Sequence, residues 1–359
     1  MELAINPKIE SAETLPGKFY GSPDIFSRAK EAIFSKSWQF AASLNDVKTP
    51  QTVYPFYFLK DYLDEPLILV RDENDKLHCL SNVCTHRGNI LVEGTQKMSQ
   101  IRCCYHGRLF KLDGKMKSMP EFDETKNFPS KTDDLPLVPF KQWSKFIFCS
   151  LNPGFDFETA YNPMIDRVNF LPLDQLVYDS SRSHEYLVRS NWALYCENYL
   201  EGFHIPYVHK GLSSSIDYKN YSYEIYEYSN LQIGNVKEGT EIFEFPTGHI
   251  DKGKRVGAFY FWIFPNMMFN FYPWGLSLNI INPLAPELSK VSFKTYVWDT
   301  TKLDKGAGAQ LDTVEREDEE IVERVQKGVN SILYKKGRYS AKMEKGVHHF
   351  HTLLSKFLK

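Results

Sequence analysis

The chain carries the stretch Asn82-Val83-Cys84-Thr85-His86-Arg87-Gly88 and, further on, Cys103-Cys104-Tyr105-His106-Gly107-Arg108-Leu109-Phe110. Each stretch places a cysteine shortly before a histidine, so the two loops together offer a Cys₂His₂ ligand set. Such a set suits a structural zinc ion or an iron–sulfur cluster with mixed ligation. Zinc fingers usually place two cysteines first and two histidines later, and the order in this chain differs.

The flanks of both stretches resemble the cluster-binding loops of the Rieske family. In that family two cysteines hold one iron of a [2Fe–2S] cluster and two histidines hold the other. A glycine after each histidine would let backbone N–H groups approach the cluster sulfurs. The resemblance implies four cluster ligands: Cys84, His86, Cys103 and His106. We prefer Cys103 because only this residue keeps the C-x₂-H spacing, and the family usually has proline at the position of Cys104.

The overall composition narrows the classes of protein and partner. A chain of 359 residues is long enough for two domains and a sizeable core. A formal net charge of −2 argues against bulk electrostatic attraction, so we expect no nucleic acid and no membrane as partner. The N-terminus lacks the pattern of a signal peptide, and no uninterrupted apolar run reaches about 18 residues, so no membrane span is expected. Six cysteines do not make a dense disulfide framework, which favours a reducing, cytoplasmic location.

The pattern of structural elements changes twice along the chain. Residues 1–44 form an N-terminal segment in which apolar spacing predicts a helix over 24–38. Residues 45–154 contain short apolar runs separated by turn signals, which predict an all-β domain with both cysteine–histidine loops at one end.

Residues 155–359 show a mixed pattern and are predicted to form the second domain. Helices are predicted over 191–202 and 312–328, and aromatic strands within 255–300. The second domain is therefore expected to be α+β, with a sheet covered by helices.

A second group of candidate ligands lies between Asn191 and His209. Glu201 and His204 are three residues apart, which on a helix places them on one face. His204 and His209 are five apart, a rotation of about 140° on a regular helix, so a shared metal requires a distorted helix. Pro206 lies between them and can disrupt the local ladder of hydrogen bonds. A metal site and an ordinary pair of core or surface histidines both remain open.

The helix predicted over 312–328 supplies a candidate carboxylate. Asp318 falls in the apolar stripe of this helix, between Val314 and Ile321. A carboxylate that faces the core needs a partner, which could be a metal or a base. Two histidines and one carboxylate would form the facial triad of non-haem Fe(II) oxygenases. The other acids of the helix are expected mostly to point elsewhere and to stay solvated: Glu315, Glu317, Glu319, Glu320 and Glu323.

With both groups in view, almost the whole chain resembles the α subunit of the Rieske non-haem iron oxygenases. The resemblance implies an α+β fold: an all-β Rieske [2Fe–2S] domain, then a catalytic domain with a long antiparallel sheet and helices, similar to a helix-grip fold. It also implies that the N-terminal segment packs with the catalytic domain. By motif, the implied ligands of a mononuclear Fe(II) are His204, His209 and Asp318.

The resemblance further implies how the two centres work together. A separate NAD(P)H-dependent reductase or a ferredoxin would pass electrons to the cluster, which relays them to the iron of a neighbouring subunit in a homotrimer. Glu201 matches the acid that bridges the two centres in this family, although many members have aspartate at that position. The resemblance implies that Glu201 hydrogen-bonds to His106 across the interface and to His204 in its own subunit. Asn198 lines up near the iron. The iron would activate O₂, the co-substrate, only when a small-molecule substrate is present.

The substrate is predicted by class only. Glu201 and the chain length are similar to the branch that acts on quaternary amines such as carnitine, choline or glycine betaine, where monooxygenation beside nitrogen gives N-dealkylation or an aldehyde. A pocket drawing on Phe203, Tyr207 and the rings of residues 259–274 would suit such a cation. The alternatives are a ring-hydroxylating dioxygenase of an aromatic carboxylate or hydrocarbon, a Rieske-type electron carrier, and a zinc-stabilised binding module.

Overall fold

The computed structural model describes residues 3–209, 211, 216–309 and 311–359. The chain divides into two compact units. The large unit consists of Met1–Phe34 and Phe155–Lys359, and the small unit is Ser35–Gly154.

The first boundary between the two units follows Phe34. Residues 35–44, which we predicted to belong to the N-terminal segment, are therefore part of the small unit. Strand β1 (Gln39–Ser43) pairs antiparallel with strand β10 (Phe146–Cys149). The hydrogen bonds of this pairing tie β1 to the small unit, so a boundary after residue 44 would cut through a sheet.

The small unit is built from short antiparallel strands. Besides β1 and β10 these are β2 (Thr52–Phe58), β3 (Glu65–Arg71), β4 (Leu77–Ser81), β5 (Gln96–Lys97), β6 (Ile101–Arg102), β7 (Leu109–Phe110), β8 (Met116–Ser118) and β9 (Phe140–Trp143). They form three sheets in the orders β1-β10-β9, β4-β3-β2-β5 and β6-β7-β8. The all-β first domain is therefore confirmed.

Both cysteine–histidine loops leave the core of the small unit as closed turns. The first follows β4 and is closed by a bridge between Val83 and Ile90. The second joins β6 to β7, where Ile101 pairs with Phe110. One buried cluster contains side chains from both loops and from the strands beneath them: Val53, Ile68, Val70, Leu80, Cys84, Val92, Ile101, Cys103, Phe110, Leu112 and Leu135.

The large unit combines helices with one long antiparallel sheet. Its strands are β11 (Val177–Tyr178), β12 (His184–Val188), β13 (Ser222–Ile225), β14 (Ser229–Asn235), β15 (Val256–Ile263), β16 (Met267–Tyr272), β17 (Gly275–Ala285) and β18 (Leu288–Val297). The sheet order is β11-β18-β17-β16-β15-β14-β13, and β12 also pairs with β18. Every residue of β16 is buried, so both faces of the sheet are covered at its middle.

The described helices of the large unit are α1 (Pro23–Ala32), α2 (Phe157–Val168), α3 (Trp192–Tyr199), α4 (Ile205–Val208), α5 (Leu311–Val329) and α6 (Lys345–Phe357). Helix α3 contacts β17, α5 and α6. The α+β class of the second domain is therefore confirmed. None of these helices combines the length and the apolar character needed to cross a membrane.

Helix α3 is anchored at its start by the buried side chain of Asn191. The Asn191 Oδ1 accepts a hydrogen bond from Ala193 N at 2.9 Å, which caps the helix. The Asn191 Nδ2 donates to the carbonyl oxygens of Tyr20 at 3.0 Å and Pro286 at 2.8 Å. One side chain thus fixes α3 against the N-terminal segment and the β17–β18 turn.

Replacing Asn191 by alanine is expected to lower the free energy of unfolding by about 2–3 kcal/mol, because the cap is lost and two carbonyl oxygens lose their donor. The expected fall in the thermal midpoint of the large unit is roughly 5–10 °C, measured by circular dichroism. Asn220→Ala is the control, since that side chain is exposed and, among the described residues, bonds to Asp217 alone. Equal midpoints for the two variants would contradict the anchoring role.

Candidate metal centres

The two cysteine–histidine loops of the small unit have the same backbone hydrogen bonds. In the first, Cys84 N donates to Asn89 O at 2.8 Å and Gly88 N donates to Cys84 O at 3.0 Å. The second repeats both bonds at 2.8 and 3.0 Å, with Cys103, Gly107 and Arg108 in the equivalent places. Gly88 and Gly107 have φ angles of +71° and +75°, a conformation that favours glycine.

The four predicted cluster ligands lie together on these loops. The rings of His86 and His106 are 4.8 Å apart between centroids. Cys84 and Cys103 are both buried, and their thiols are within hydrogen-bonding reach of one another. Burial and the neighbouring His106 and Arg108 lower the pKa of His86, which favours the neutral imidazole that a metal binds.

The polar atoms around these side chains suit an iron–sulfur cluster. The Nδ1 atom of His106 is buried and has no hydrogen-bond partner among the described residues. Burial raises the pKa of the Cys103 thiol, but the backbone N–H groups of Tyr105 and His106 and the Cys84 thiol outweigh it, so this pKa is lowered. Cys104, by contrast, is exposed. The loops therefore present an unsatisfied nitrogen and a stabilised thiolate on the side where a cluster would bind.

Arg108 joins the two loops and was missed by the sequence analysis. Its guanidinium is 2% exposed, and it donates to Thr85 Oγ1 at 2.7 Å and to Asp133 Oδ1 at 3.1 Å. The Thr85 hydroxyl in turn donates to the Asp133 carbonyl at 2.7 Å. The partners come from three separate stretches of chain, so spacing along the sequence carries no signal for this contact.

In the large unit, Glu201 and His204 meet through a loop and not along a helix, which corrects the sequence analysis. Helix α3 ends at Tyr199, and Glu201 follows outside it. The Glu201 carboxylate accepts hydrogen bonds from the backbone N–H groups of Phe203 and His204, which competes with continued helix. The same carboxylate lies 2.7 Å from His204 Nδ1. The expected pair is present, although its geometry comes from a carboxylate-stabilised turn.

His204 and His209 flank the single-turn helix α4 at its two ends. Pro206 lies in the first turn, where no backbone donor is required, so it does not break a longer helix as we expected. His209 leaves helical geometry, with φ −101° and ψ 78°. The rotation of a regular helix therefore does not apply, and the two rings converge.

The ligand atoms of His204, His209 and Asp318 form a compact triangle. The two Nε2 atoms are 3.1 Å apart, and Asp318 Oδ1 is 3.0 Å from His209 Nε2 and 3.5 Å from His204 Nε2. Ligands at right angles, each about 2.1 Å from an ion, lie about 3.0 Å from one another. The triangle thus has the size of one face of an octahedron, which fits an iron ion held by three ligands.

Both histidines are oriented by carboxylates at their other ring nitrogen. Glu201 lies 2.7 Å from Nδ1 of His204, and Glu317 lies 2.7 Å from Nδ1 of His209. An Nδ1–H donated to a carboxylate leaves the Nε2 lone pair for a metal. Two such lone pairs 3.1 Å apart repel unless a cation or a proton lies between them, so the donor set fits a resident ion.

The acids of α5 are less solvated than we predicted. Glu317 contacts His209, and Glu315 is only 9% exposed. Burial raises the pKa of Glu315 to about 8 and that of Glu319 to about 7. The apolar stripe identified Asp318 but held no signal for Glu317 and Glu315, because Glu317 contacts the distant His209 and Glu315 lines a cavity.

The three ligand residues line a cavity in the large unit. Counted as the space open to the centre of a water molecule, its volume is about 100 Å³, several times what one water needs. Asn198, Glu201 and Glu315 contribute to the wall. Six aromatic rings line it: Tyr195, Tyr199, Tyr221, Tyr260, Tyr272 and Phe293.

Two aromatic residues assigned to this pocket from sequence do not contribute to its wall. Phe203 is 41% exposed and Tyr207 is 77% exposed. Both belong to the segment between α3 and the end of α4, from which Glu201, His204 and Ile205 do line the cavity. The strand segment 259–274 does supply rings, through Tyr260 and Tyr272.

Comparison with known proteins agrees with this arrangement of two metal centres. Residues 37–129 match the Rieske [2Fe–2S] domain, and residues 173–359 match the ring hydroxylating alpha subunit (catalytic domain). The chloroplastic choline monooxygenase of Arabidopsis thaliana is 32% identical over 380 residues, covering 99% of this chain and 85% of that protein. The carnitine monooxygenase oxygenase subunit of Escherichia coli K12 is 28% identical over 367 residues, covering 98% and 95%.

A solved structure has the same fold. It is that of a quaternary ammonium Rieske monooxygenase, described as giving insights into carnitine oxidation by gut microbiota and inter-subunit electron transfer. The TM-score is 0.77 at 24% identity, and the match covers 99% of this chain and 97% of the other.

A Rieske domain joined to an iron-binding catalytic domain defines the oxygenase component of a two-centre oxidoreductase. The chain belongs to the Rieske non-haem iron oxygenases, as an α subunit. Its cofactors are a Rieske [2Fe–2S] cluster and a mononuclear iron, and O₂ is its co-substrate.

Glu317→Ala is expected to weaken iron binding by about 10- to 100-fold, because His209 loses the carboxylate that orients it. Iron content after dialysis against a chelator measures this, and the visible spectrum of the cluster serves as an internal standard. Glu320→Ala is the matched control on α5, since the exposed Glu320 side chain pairs with Arg324 at the surface. Asp318→Ala should lose the iron outright. Iron retention equal to that of the wild type in Glu317→Ala would contradict the orienting role.

Proposed function

We propose that the predicted residues hold the two centres of this terminal oxygenase. The cluster ligands are Cys84, His86, Cys103 and His106, and the iron ligands are His204, His209 and Asp318. The observation that supports the iron site most is the triangle of ligand atoms with edges of 3.0 to 3.5 Å. Bound there, an iron ion would supply O₂ activation.

We further propose that Glu201 links the centres of neighbouring subunits in a homotrimer. Its carboxylate contacts His204 Nδ1 at 2.7 Å and is 14% exposed, so it can be reached from outside the large unit. Across the interface, Glu201 would contact His106 of the partner subunit, whose buried Nδ1 is assigned to the cluster. A carboxylate between two metal-bound imidazoles fixes both rings and joins the centres by hydrogen bonds.

The remaining partners are proposed from the needs of the reaction. Electrons would come from a separate NAD(P)H-dependent reductase or a ferredoxin. All six cysteines are free in the structure, in keeping with the cytoplasmic location that we predict.

A quaternary amine is the substrate class that we propose. The relatives named above are choline and carnitine monooxygenases. The cavity adds a physical argument, because six aromatic rings surround a space that also holds carboxylates. Ring faces attract a quaternary ammonium, which has no N–H group to donate to a polar partner.

The chemistry balances as a monooxygenation. A C–H bond beside nitrogen or oxygen becomes C–OH, while the second oxygen atom of O₂ leaves as water with two electrons and two protons. A carbinol beside nitrogen breaks down to an amine and a carbonyl compound, and oxidation beside a hydroxyl gives an aldehyde. Within this scheme, the cavity wall orients the substrate and excludes water, and the Asn198 amide faces the same space.

A substrate panel tests the proposed class. We expect O₂ uptake coupled to product formation with choline, carnitine or glycine betaine in the presence of a reductase, and none with benzoate or naphthalene. Aldehyde or dealkylated amine is quantified against the O₂ consumed. Coupled turnover of the aromatic compounds alone would favour a ring-hydroxylating dioxygenase and reject the quaternary amine.

Replacing Glu201 by glutamine tests the link between subunits. The amide keeps an acceptor for the turn but loses the charge, so we expect electron transfer to slow by about tenfold or more while both metals stay bound. Reoxidation of the reduced cluster in a single turnover with substrate and O₂ gives the rate. Glu201→Asp is the conservative control and should retain most of it. Unchanged single-turnover rates in Glu201→Gln would defeat the bridging role.

A further inference from the structure

Glu315 is a buried acid in the cavity wall that the assignments above do not use. It lies three residues before Asp318 on α5, which places both carboxylates on one helix face about 4.5 Å apart along the axis. It lines the cavity with Leu311 and Val314 of the same face. The helix thus presents a ligand for the iron and, almost one turn earlier, a second carboxylate to the same space.

No ion pair or hydrogen bond from the described residues reaches the Glu315 carboxylate, although the side chain is 9% exposed. The charged groups that act on it are all acidic. Burial comes first, followed by Asp312, Glu319 and Asp318, and together they raise the pKa of Glu315 to about 8. A buried carboxylate without a partner is unfavourable, and it is stabilised when a cation enters beside it.

The surroundings of Glu315 restrict what kind of cation could enter. Rings of Tyr195 and Tyr272 lie near enough for its charge to raise their pKa values, behind the larger effects of burial and of other neighbouring groups. Both rings line the cavity. A cation beside Glu315 meets this carboxylate and the neighbouring tyrosine rings, a combination that suits a quaternary ammonium.

We propose that Glu315 is a specificity-determining residue whose carboxylate is the counter-ion of the substrate's quaternary ammonium group. The proposal rests on the quaternary-amine function proposed above and identifies the residue that makes the site prefer a positively charged substrate. Pairing the ammonium with Glu315 would place the carbon atoms beside nitrogen within reach of the triangle of ligand atoms. A neutral molecule of the same shape offers Glu315 no counter-charge, so the site would bind it less tightly than the cation.

The test compares choline with 3,3-dimethylbutan-1-ol, in which carbon replaces the charged nitrogen. Dissociation constants are measured by calorimetry on the anaerobic holoenzyme, where no turnover occurs. We expect the wild type to bind choline at least about tenfold more tightly than the neutral analogue. Glu315→Gln should bind choline at least about tenfold more weakly than the wild type, and the analogue within about twofold.

Two further variants make the result decisive. Glu319→Gln removes a partly buried acid one turn further along α5 that does not line the cavity, and it should keep the preference for choline. Glu315→Asp keeps the charge on a shorter side chain and should keep part of the preference. If Glu315→Gln does not fold with an intact cluster spectrum, the aspartate variant decides, and complete loss of preference there overturns the proposal.

The outcomes separate this proposal from the proposed function. Choline affinity within about twofold of the wild type in Glu315→Gln overturns the counter-ion and leaves the quaternary-amine class intact. Failure of the wild type to prefer choline, together with no turnover of any quaternary amine, overturns the substrate class itself. A loss of preference in Glu319→Gln equal to that in Glu315→Gln would show a general effect of helix charge and also overturn the role of Glu315.

Discussion

The proposed iron site depends on two carboxylate–imidazole contacts, each 2.7 Å long, at the Nδ1 atoms of His204 and His209. An imidazole can bind a metal through either nitrogen, so a shared site requires that both rings use the same one and face the same point. Glu201 imposes that choice on His204, and Glu317 imposes it on His209. The turn after α3, the single-turn helix α4 and the acidic helix α5 all serve to place these groups.

The acidic residues of helix α5 lie in different environments and make different contacts. Asp318 faces the two Nε2 atoms, while Glu317 contacts the back of His209. Glu323 accepts a hydrogen bond from Arg189 N at 2.9 Å, and Glu320 pairs with Arg324 at the surface. The helical rotation of about 100° per residue sends neighbouring acids into different surroundings. From its composition alone, this helix would be predicted to expose its acidic side chains to solvent.

Local spacing was enough to predict the small unit, because each cysteine and its histidine lie within one turn and the loop glycines follow at once. Asp318 was also predictable, since it interrupts an apolar stripe. Glu317 was not, because its partner His209 lies far away along the chain. The contact between Glu201 and His204 was expected for the wrong reason: it depends on backbone N–H groups after α3 ends. Residues 35–44 were misplaced because the pairing of β1 with β10 joins distant parts of the sequence.

The brevity of α4 has a consequence for how the chain becomes ordered. Four residues cannot sustain a helix by themselves, since nucleation is unfavourable and little propagation follows. Its conformation therefore depends on contacts made at its two ends, where His204 and His209 lie. Whatever joins those two rings therefore closes a short loop of chain, much as a crosslink would. With the proposed ligands, iron binding would fix both ends of this stretch, so iron binding and ordering of the segment would be coupled.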